Sequence, residues 1–239
     1  CIPAAFFALA TIGLARIAPV VLLPIFYKFK PLDRPALVER LLALATRART
    51  DVVGVFEWVL SGHTKKANAA LAGMGRTRRI LLSDTLLADY SEDEIEVILA
   101  HELGHHVHRD IWSGIAFETA LLCAGFYLAG LVLEMSAGSF GSAGKQDIAL
   151  LPLLVLAIGA VSLVLMPFAN AFSRVHERRA DRYALTMTRN ADAFITAMRR
   201  LAAQNLAEEH PSRVVETLFH SHPSTAARIA AAEEWRRHS

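Results

Sequence analysis

Apolar residues gather into three long stretches, Ile2–Phe26, Ile111–Leu133 and Ile148–Phe172, set apart by two polar segments and a short Gly/Ser-rich loop, Glu134–Asp147. Each stretch reaches the ~20 residues that a helix needs to cross a hydrocarbon core of about 30 Å. Ile148–Phe172 carries no charge and is the clearest span; its Pro152, Gly159 and Pro167 are tolerated in membrane helices, where neighbours re-satisfy the backbone. Ile111–Leu133 carries one charge, Glu118, and opens with Trp112, a ring suited to the headgroup level. Ile2–Phe26 contains Arg16, Pro19 and Pro24 and leaves through Phe26-Tyr27-Lys28-Phe29-Lys30, an aromatic and basic boundary. The alternative for each is a buried core helix, but such helices seldom stay apolar on all faces for so long. The pattern predicts a transmembrane segment over 1–27, a polar subdomain over 28–110, a membrane hairpin over 111–172 and a second polar subdomain over 173–239.

The polar segments carry shorter periods. Leu37, Leu41, Leu44 and Ala48 recur at helical spacing within Arg34–Arg49, and Asp51–Leu60, rich in Val and aromatics, reads as a strand. Lys65–Gly73 and Arg78–Leu82 are two more strand candidates, joined by Met74-Gly75-Arg76-Thr77. Ser91-Glu92-Asp93-Glu94 then starts a helix: Ser91 is the N-cap, Glu94 its capping-box partner, and the acidic groups face the positive end of the dipole. The fold class expected is an α+β membrane protein, mainly helical, with transmembrane helices, a small β-sheet and one helix that carries the chemistry.

That helix contains His101-Glu102-Leu103-Gly104-His105, an H-E-x-x-H pattern. Residues four apart lie one turn above each other, so His101 and His105 can both present a ring nitrogen to one Zn²⁺ at about 2.0–2.1 Å. Glu102 stands beside that face, where a carboxylate can take a proton from water activated by the metal. Catalytic zinc usually takes three protein ligands, and the best third candidate lies in Ser173-Arg174-Val175-His176-Glu177-Arg178-Arg179-Ala180-Asp181. There Glu177 and Asp181 are again one turn apart, which lets Glu177 reach the metal while Asp181 supports a ligand imidazole. The same spacing suits a solvated face of helical ion pairs, and spacing alone does not separate the two. His105 and Glu177 are 72 residues apart, with two spans and a short loop between them. Both ligand helices must therefore leave one membrane hairpin on the same face.

Composition narrows the picture. The chain is 54% hydrophobic and 20% charged, with a mean hydropathy of +0.34, which excludes a soluble globular domain, a disordered chain or a fibrous repeat as the simplest reading. A net charge of +2 without a basic stripe interleaved with aromatics gives no reason to expect nucleic acid. Cys1 and Cys123 have no second Cys or His at ligand spacing, so neither a disulfide framework nor a Cys-ligated metal is expected. Of the 25 Lys and Arg, 12 lie between the first two stretches and 11 follow the third, while the short loop holds only Lys145. The positive-inside rule then puts both polar segments on the cytoplasmic side. The chain opens Cys1-Ile2-Pro3 with neither Met nor a basic run, so its first stretch reads as a span rather than a cleavable signal, and upstream spans of a longer protein are expected.

Four matches in order bring a family into view: Asn68-Ala69 before Gly73 with Arg79-Ile80 and Leu86-Leu87 after it; His101-Glu102-Leu103-Gly104-His105; Glu177-Arg178-Arg179-Ala180-Asp181; and His220-Ser221-His222-Pro223 followed by Arg228-Ile229. From about Ile17 to Arg228 the chain resembles the C-terminal part of the integral-membrane zinc metalloendopeptidases of the CAAX prenyl protease type 1 family, which is related to membrane stress peptidases. The resemblance implies one Zn²⁺ per chain held by His101, His105 and Glu177, with Glu102 as general base and Asp181 behind a ligand. It implies that His222 faces the site to stabilise an oxyanion, with Arg228 nearby, and that Asn68 lies on an edge strand that pairs with an extended substrate. Without it, His222 would read as an ordinary loop-capping histidine, and His220, two residues earlier, could stand in its place.

The function expected is a membrane-embedded zinc metalloendopeptidase that hydrolyses membrane-attached proteins or peptides at the bilayer surface, with the lipid bilayer as its other partner and no nucleic acid. A sensor-type or inactive zincin that binds peptides without cutting them is the alternative, and the presence of Glu102, which zinc binding does not need, speaks against it. His106 and His108 point away from the His101/His105 face, and His63, His176, His210 and His238 are expected to be solvated. The preference for Arg over Lys and the Ala-rich composition suggest a GC-rich bacterial source. The expected location is then the inner membrane with the site on the cytoplasmic side, and prenylated substrates are not implied.

Overall fold

The computed structural model of the chain describes residues 29–62, 64, 66–73, 75–137, 148–205 and 211–239, with isolated positions at Phe6, Leu9, Ala10 and Gly13. Apart from those positions the expected first span Ile2–Phe26, with most of the loop Glu134–Asp147, and His63 and His210, falls outside the described residues.

Four short strands form one sheet in the order β1-β2-β4-β3: β1 (Phe29–Pro31), β2 (Val55–Trp58), β3 (Ala69–Ala72) and β4 (Arg79–Ser83). β2 and β4 run parallel, and the other two pairs are antiparallel. β3 and β4 are joined by a turn in which Gly73 has φ +92°, and a Cβ there would lie 2.6 Å from the Thr77 carbonyl oxygen. Only glycine fits that position. Phe29-Lys30, expected to mark a membrane exit, instead pairs with Trp58 and Glu57 as the outer strand β1. The strand is too short to show a period, and Pro31 sits at an edge where its missing N–H costs nothing.

Helix α1 (Pro35–Arg47) starts on Pro35 in its first turn and buries Leu37, Leu41 and Leu44 on one face. The short α2 (Asp84–Asp89) follows β4 without a loop, its first turn capped by the Ser83 hydroxyl. Helix α3 (Glu92–Val107) has both halves of its capping box: the Ser91 N–H donates to the Glu94 carboxylate at 2.8 Å, and the Glu94 N–H to the Ser91 hydroxyl at 3.3 Å. Its Ile95, Leu99 and Leu103 are fully buried in a core shared with Leu37, Leu41 and Leu44 of α1, Ile80 and Leu82 of β4, and Phe194 of α6 (Ala191–Asn205). Spacing of four puts that apolar row on one side of α3 and leaves His101 and His105 on another.

Arg109, in the left-handed region at φ 58°, turns the chain from α3 directly into α4 (Asp110–Ala137). Helix α5 (Leu151–Thr188) returns along α4 and is 38 residues long. At 1.5 Å per residue that is about 57 Å, nearly twice a hydrocarbon core. The apolar run and the polar stretch from Ser173 are thus one uninterrupted helix, with Pro167 inside it. The 18-residue apolar windows of α4 and α5 are only 6% buried, which excludes the core-helix reading for both; they are long and apolar enough to cross a membrane. Phe117 stacks on Phe172 at 4.0 Å between ring centres, and Gly125 of α4 faces Leu165 and Val161 of α5. The short α7 (Arg213–Phe219) and α8 (Thr225–His238) complete the chain.

Replacing Ser91 by Ala removes the N-cap of α3 and is expected to lower stability by about 1 kcal/mol, measured by denaturant unfolding in detergent, with no change in helix boundaries.

Candidate metal centre

The histidines of α3 and the carboxylate of α5 meet because the two helices cross at Gly104. A Cβ there would lie 3.1 Å from Ala180 Cα and 3.3 Å from the Tyr183 side chain, so glycine is what allows the backbones so close. At the crossing, Nε2 of His101 and Nε2 of His105 are 3.1 Å apart. Glu177 sends one carboxylate oxygen to within 3.5 Å of His101 Nε2 and the other to within 3.4 Å of His105 Nε2.

These separations test whether the donors fit a metal. Ligand atoms 2.0–2.1 Å from a tetrahedral centre lie about 3.3 Å apart, close to the Nε2–Nε2 separation and to the approach of each Nε2 to the Glu177 carboxylate, whose two oxygens face different histidines. His101, His105 and Glu177 form the group of possible metal donors found among the described residues. Each imidazole is held from behind: His101 Nδ1 lies 2.9 Å from an Asp181 carboxylate oxygen and His105 Nδ1 lies 2.8 Å from Asp110. A carboxylate on Nδ1 fixes the tautomer with Nε2 free to ligate. The donor set, its geometry and its support all fit a bound divalent cation.

Asp181 is itself fixed by Arg228, whose Nε and Nη2 donate to its two oxygens at 2.8 and 2.5 Å. Asp110 is a residue that the sequence reading did not single out. It is buried, accepts from His105, and is gripped by the Arg179 guanidinium of α5. It is the first residue of the long apolar helix α4, and its position five residues after His105 was the available signal. His176, expected to be solvated, is instead half-buried, with Phe172 at 4.3 Å between ring centres and Asp110 at 3.9 Å. His108 does turn away, donating to the Gly104 carbonyl at 2.7 Å with its ring edge-on to Tyr183.

The electrostatics follow from this crowding. Burial works against the His101 imidazolium, yet its hydrogen bonds to Asp181 and Glu177 outweigh that and raise its pKa to about 9. A metal ion entering the site must displace that proton. Glu102, on the same helix, is pushed up by burial while the adjoining His101 and His105 pull it back only in part. His222 brings Nδ1 to 3.1 Å from Glu177 while its side chain stays 62% exposed, so it reaches both the site and the solvent. The nearby His220 gives its carbonyl, at 2.6 Å, to Arg174. Asn68 is exposed immediately before β3, the outer strand on the far side of the sheet, and its N–H and carbonyl bond to Ser83.

Two imidazoles and a carboxylate on crossing helices, with the motif's glutamate alongside, define the H-E-x-x-H metallopeptidase class. The chain belongs to Peptidase family M48, whose model matches residues 31–236. It is 34% identical over 222 residues to the "Uncharacterized metalloprotease YhfN" of Bacillus subtilis (strain 168), covering 91% of this chain and 52% of that protein. It is 30% identical over 240 residues to CAAX prenyl protease 1 of Saccharomyces cerevisiae, covering 91% of this chain and 52% of that protein. The crystal structure of S. mikatae Ste24p superposes with a TM-score of 0.83 at 27% identity, over 96% of this chain and 57% of that one. The resemblance read from the four motifs therefore holds, and the chain spans about half the length of these relatives. Membership brings with it a metal cofactor.

Two substitutions probe the centre. Gly104→Ala must push α3 and α5 apart by a few tenths of an ångström and is expected to cost about 1–3 kcal/mol of stability, with metal loss on dilution that the parent does not show. Asp110→Ala removes the carboxylate behind His105 and is expected to weaken metal affinity by about 10–100-fold in a chelator titration, with the secondary structure unchanged.

Proposed function

We propose that the chain forms the catalytic part of an integral-membrane zinc metalloendopeptidase that hydrolyses peptide bonds of membrane-associated proteins or peptides. The observation that carries this reading is that both ligand positions adjoin one pair of apolar helices: α3 turns at Arg109 into α4, and Glu177 lies on the extension of α5 beyond its apolar part. The site then opens at the bilayer surface, and substrates attached to the membrane are delivered to it along that plane. In this organisation 28–110 and 173–239 are the two polar parts of the site, 111–172 is the hairpin between them, and 1–27 is a further span.

His101, His105 and Glu177 would hold one Zn²⁺, a cation suited to imidazole and carboxylate donors in a tetrahedral set. When bound, zinc supplies a Lewis acid that polarises the scissile carbonyl and makes water a nucleophile near neutral pH. Glu102 accepts the proton from the attacking water and hands it to the leaving amine, and its raised pKa suits a group that must do both. His222 donates to the oxygen on which negative charge develops, within reach of solvent and of Glu177. Arg228 acts at one remove, locking Asp181 against His101. The free edge of β3 pairs with an extended substrate next to Asn68.

The distribution of Lys and Arg supports a cytoplasmic site, in a bacterial inner membrane. No nucleic-acid partner is proposed. Prenylated substrates are not proposed either; the CAAX relative's name speaks for that protein.

Glu102→Gln decides between a peptidase and a binding or sensing protein. In lipid nanodiscs the variant is expected to keep about one zinc per chain while cleavage of a membrane-anchored reporter falls by about 10²–10⁴-fold. A wild-type protein without zinc, or a variant that cuts as fast as its parent, would defeat the reading.

A further inference from the structure

Helix α7 has seven residues, none of them buried, and is too short to hold itself together in water. Its end is held from outside. The Arg174 guanidinium, on α5, donates through Nη1 to the carbonyls of Glu216 at 3.1 Å, Thr217 at 3.3 Å and His220 at 2.6 Å. Asn170, one turn earlier on α5, donates to the Leu218 carbonyl at 2.6 Å. The last carbonyls of a helix have few partners within it; that of Glu216 also accepts the His220 N–H at 3.3 Å, and Arg174 and Asn170 add side-chain donors to the carbonyls of Glu216, Thr217 and Leu218. The charge fits as well, because a cation at a helix C-terminus meets the negative pole of its dipole.

The four residues that follow, His220-Ser221-His222-Pro223, are fixed at both ends. Arg174 takes the His220 carbonyl, and the Glu216 carboxylate accepts from the N–H of Ser224, the N-cap of α8, at 2.9 Å. Arg174 is only 7% exposed, so it is a buried charge placed on main-chain oxygens. Three residues further along the same helix lies Glu177, to which this loop delivers His222. One helix therefore carries a candidate ligand and the anchor of the loop that meets it.

We propose that Arg174 is the positioning residue for His222. It fixes the C-terminus of α7 and so holds the 220–223 loop against the metal centre without touching metal or substrate itself. The inference rests on the peptidase reading above and goes beyond it by assigning a role to a residue outside the motif ligands. It separates two tasks on α5: Glu177 serves metal binding, and Arg174 serves the step in which His222 acts.

The test compares Arg174→Met, Arg174→Lys, His222→Ala and the Arg174→Met/His222→Ala pair in the full chain in nanodiscs. Arg174→Met is expected to lower kcat about 10²-fold, as His222→Ala does, with KM and zinc affinity unchanged, and the double variant to be no slower than either single one. Amide hydrogen exchange should accelerate over residues 216–224 and stay unchanged over α3, and Arg174→Lys should restore part of both. Unchanged exchange over 216–224, additive losses in the pair, or zinc loss in Arg174→Met would overturn the proposal. If Arg174→Met does not fold, Arg174→Lys carries the same comparison, since a shorter cation should loosen the loop partly. A silent His222→Ala alongside accelerated exchange would leave the anchoring standing and remove His222 from the mechanism proposed above.

Discussion

Gly104 meets Ala180 and Tyr183 so closely that a Cβ there would force the two helices apart by a few tenths of an ångström, and the geometry of the site depends on that approach. Only at this separation can Glu177 lie across from two histidines one turn apart on another helix. The core behind α3 holds it there: Ile95, Leu99 and Leu103 are locked among α1, β4 and α6, so the helix cannot rotate to relieve the crossing. The supporting carboxylates come from different elements, Asp181 from α5 and Asp110 from the start of α4. Each imidazole is thus oriented by a partner that is itself pinned by an arginine, Arg228 or Arg179.

The apolar hairpin is part of this construction. Helix α4 begins with the carboxylate that orients His105, and α5 runs unbroken out of its apolar part into the residues that complete the site. A helix this long exceeds the thickness of a hydrocarbon core, and its part beyond the apolar run carries Arg174, Glu177 and Asp181. The charges of the centre compensate one another over short distances: carboxylates raise the pKa of His101, and guanidinium groups hold the carboxylates. Buried charge of this density is tolerable because nearly every group in it is paired.

Much of this was legible from residue order. The H-E-x-x-H turn, its capping box and the Glu177/Asp181 pair each depend on spacing within one helix, and helical geometry converts spacing into a shared face. The strands around Gly73 and the helix over Pro35–Arg47 were visible for the same reason. β1 was not, because three residues ending in proline show no period and acquire their identity by pairing with β2. Asp110 was missed and His176 was expected to be solvated because their partners, His105 and Phe172 among them, are set by how α3, α4 and α5 pack. Arg174 lay next to a recognised motif but gave no sign of its partners, since main-chain carbonyls leave no mark in a sequence.

What the sequence determined by itself was local and additive: which stretches are apolar enough for a bilayer, where the ligand helix begins, and which residues share a face with the histidines. Tertiary structure alone decided the distances among His101, His105 and Glu177, the choice of Asp110 and Asp181 as supports, and the delivery of His222 rather than His220 to Glu177. The physical reason is range. Periodicity and capping act over a few residues of one element, whereas such a site is fixed by backbone approach and charge pairing between elements that the chain separates by two long apolar helices.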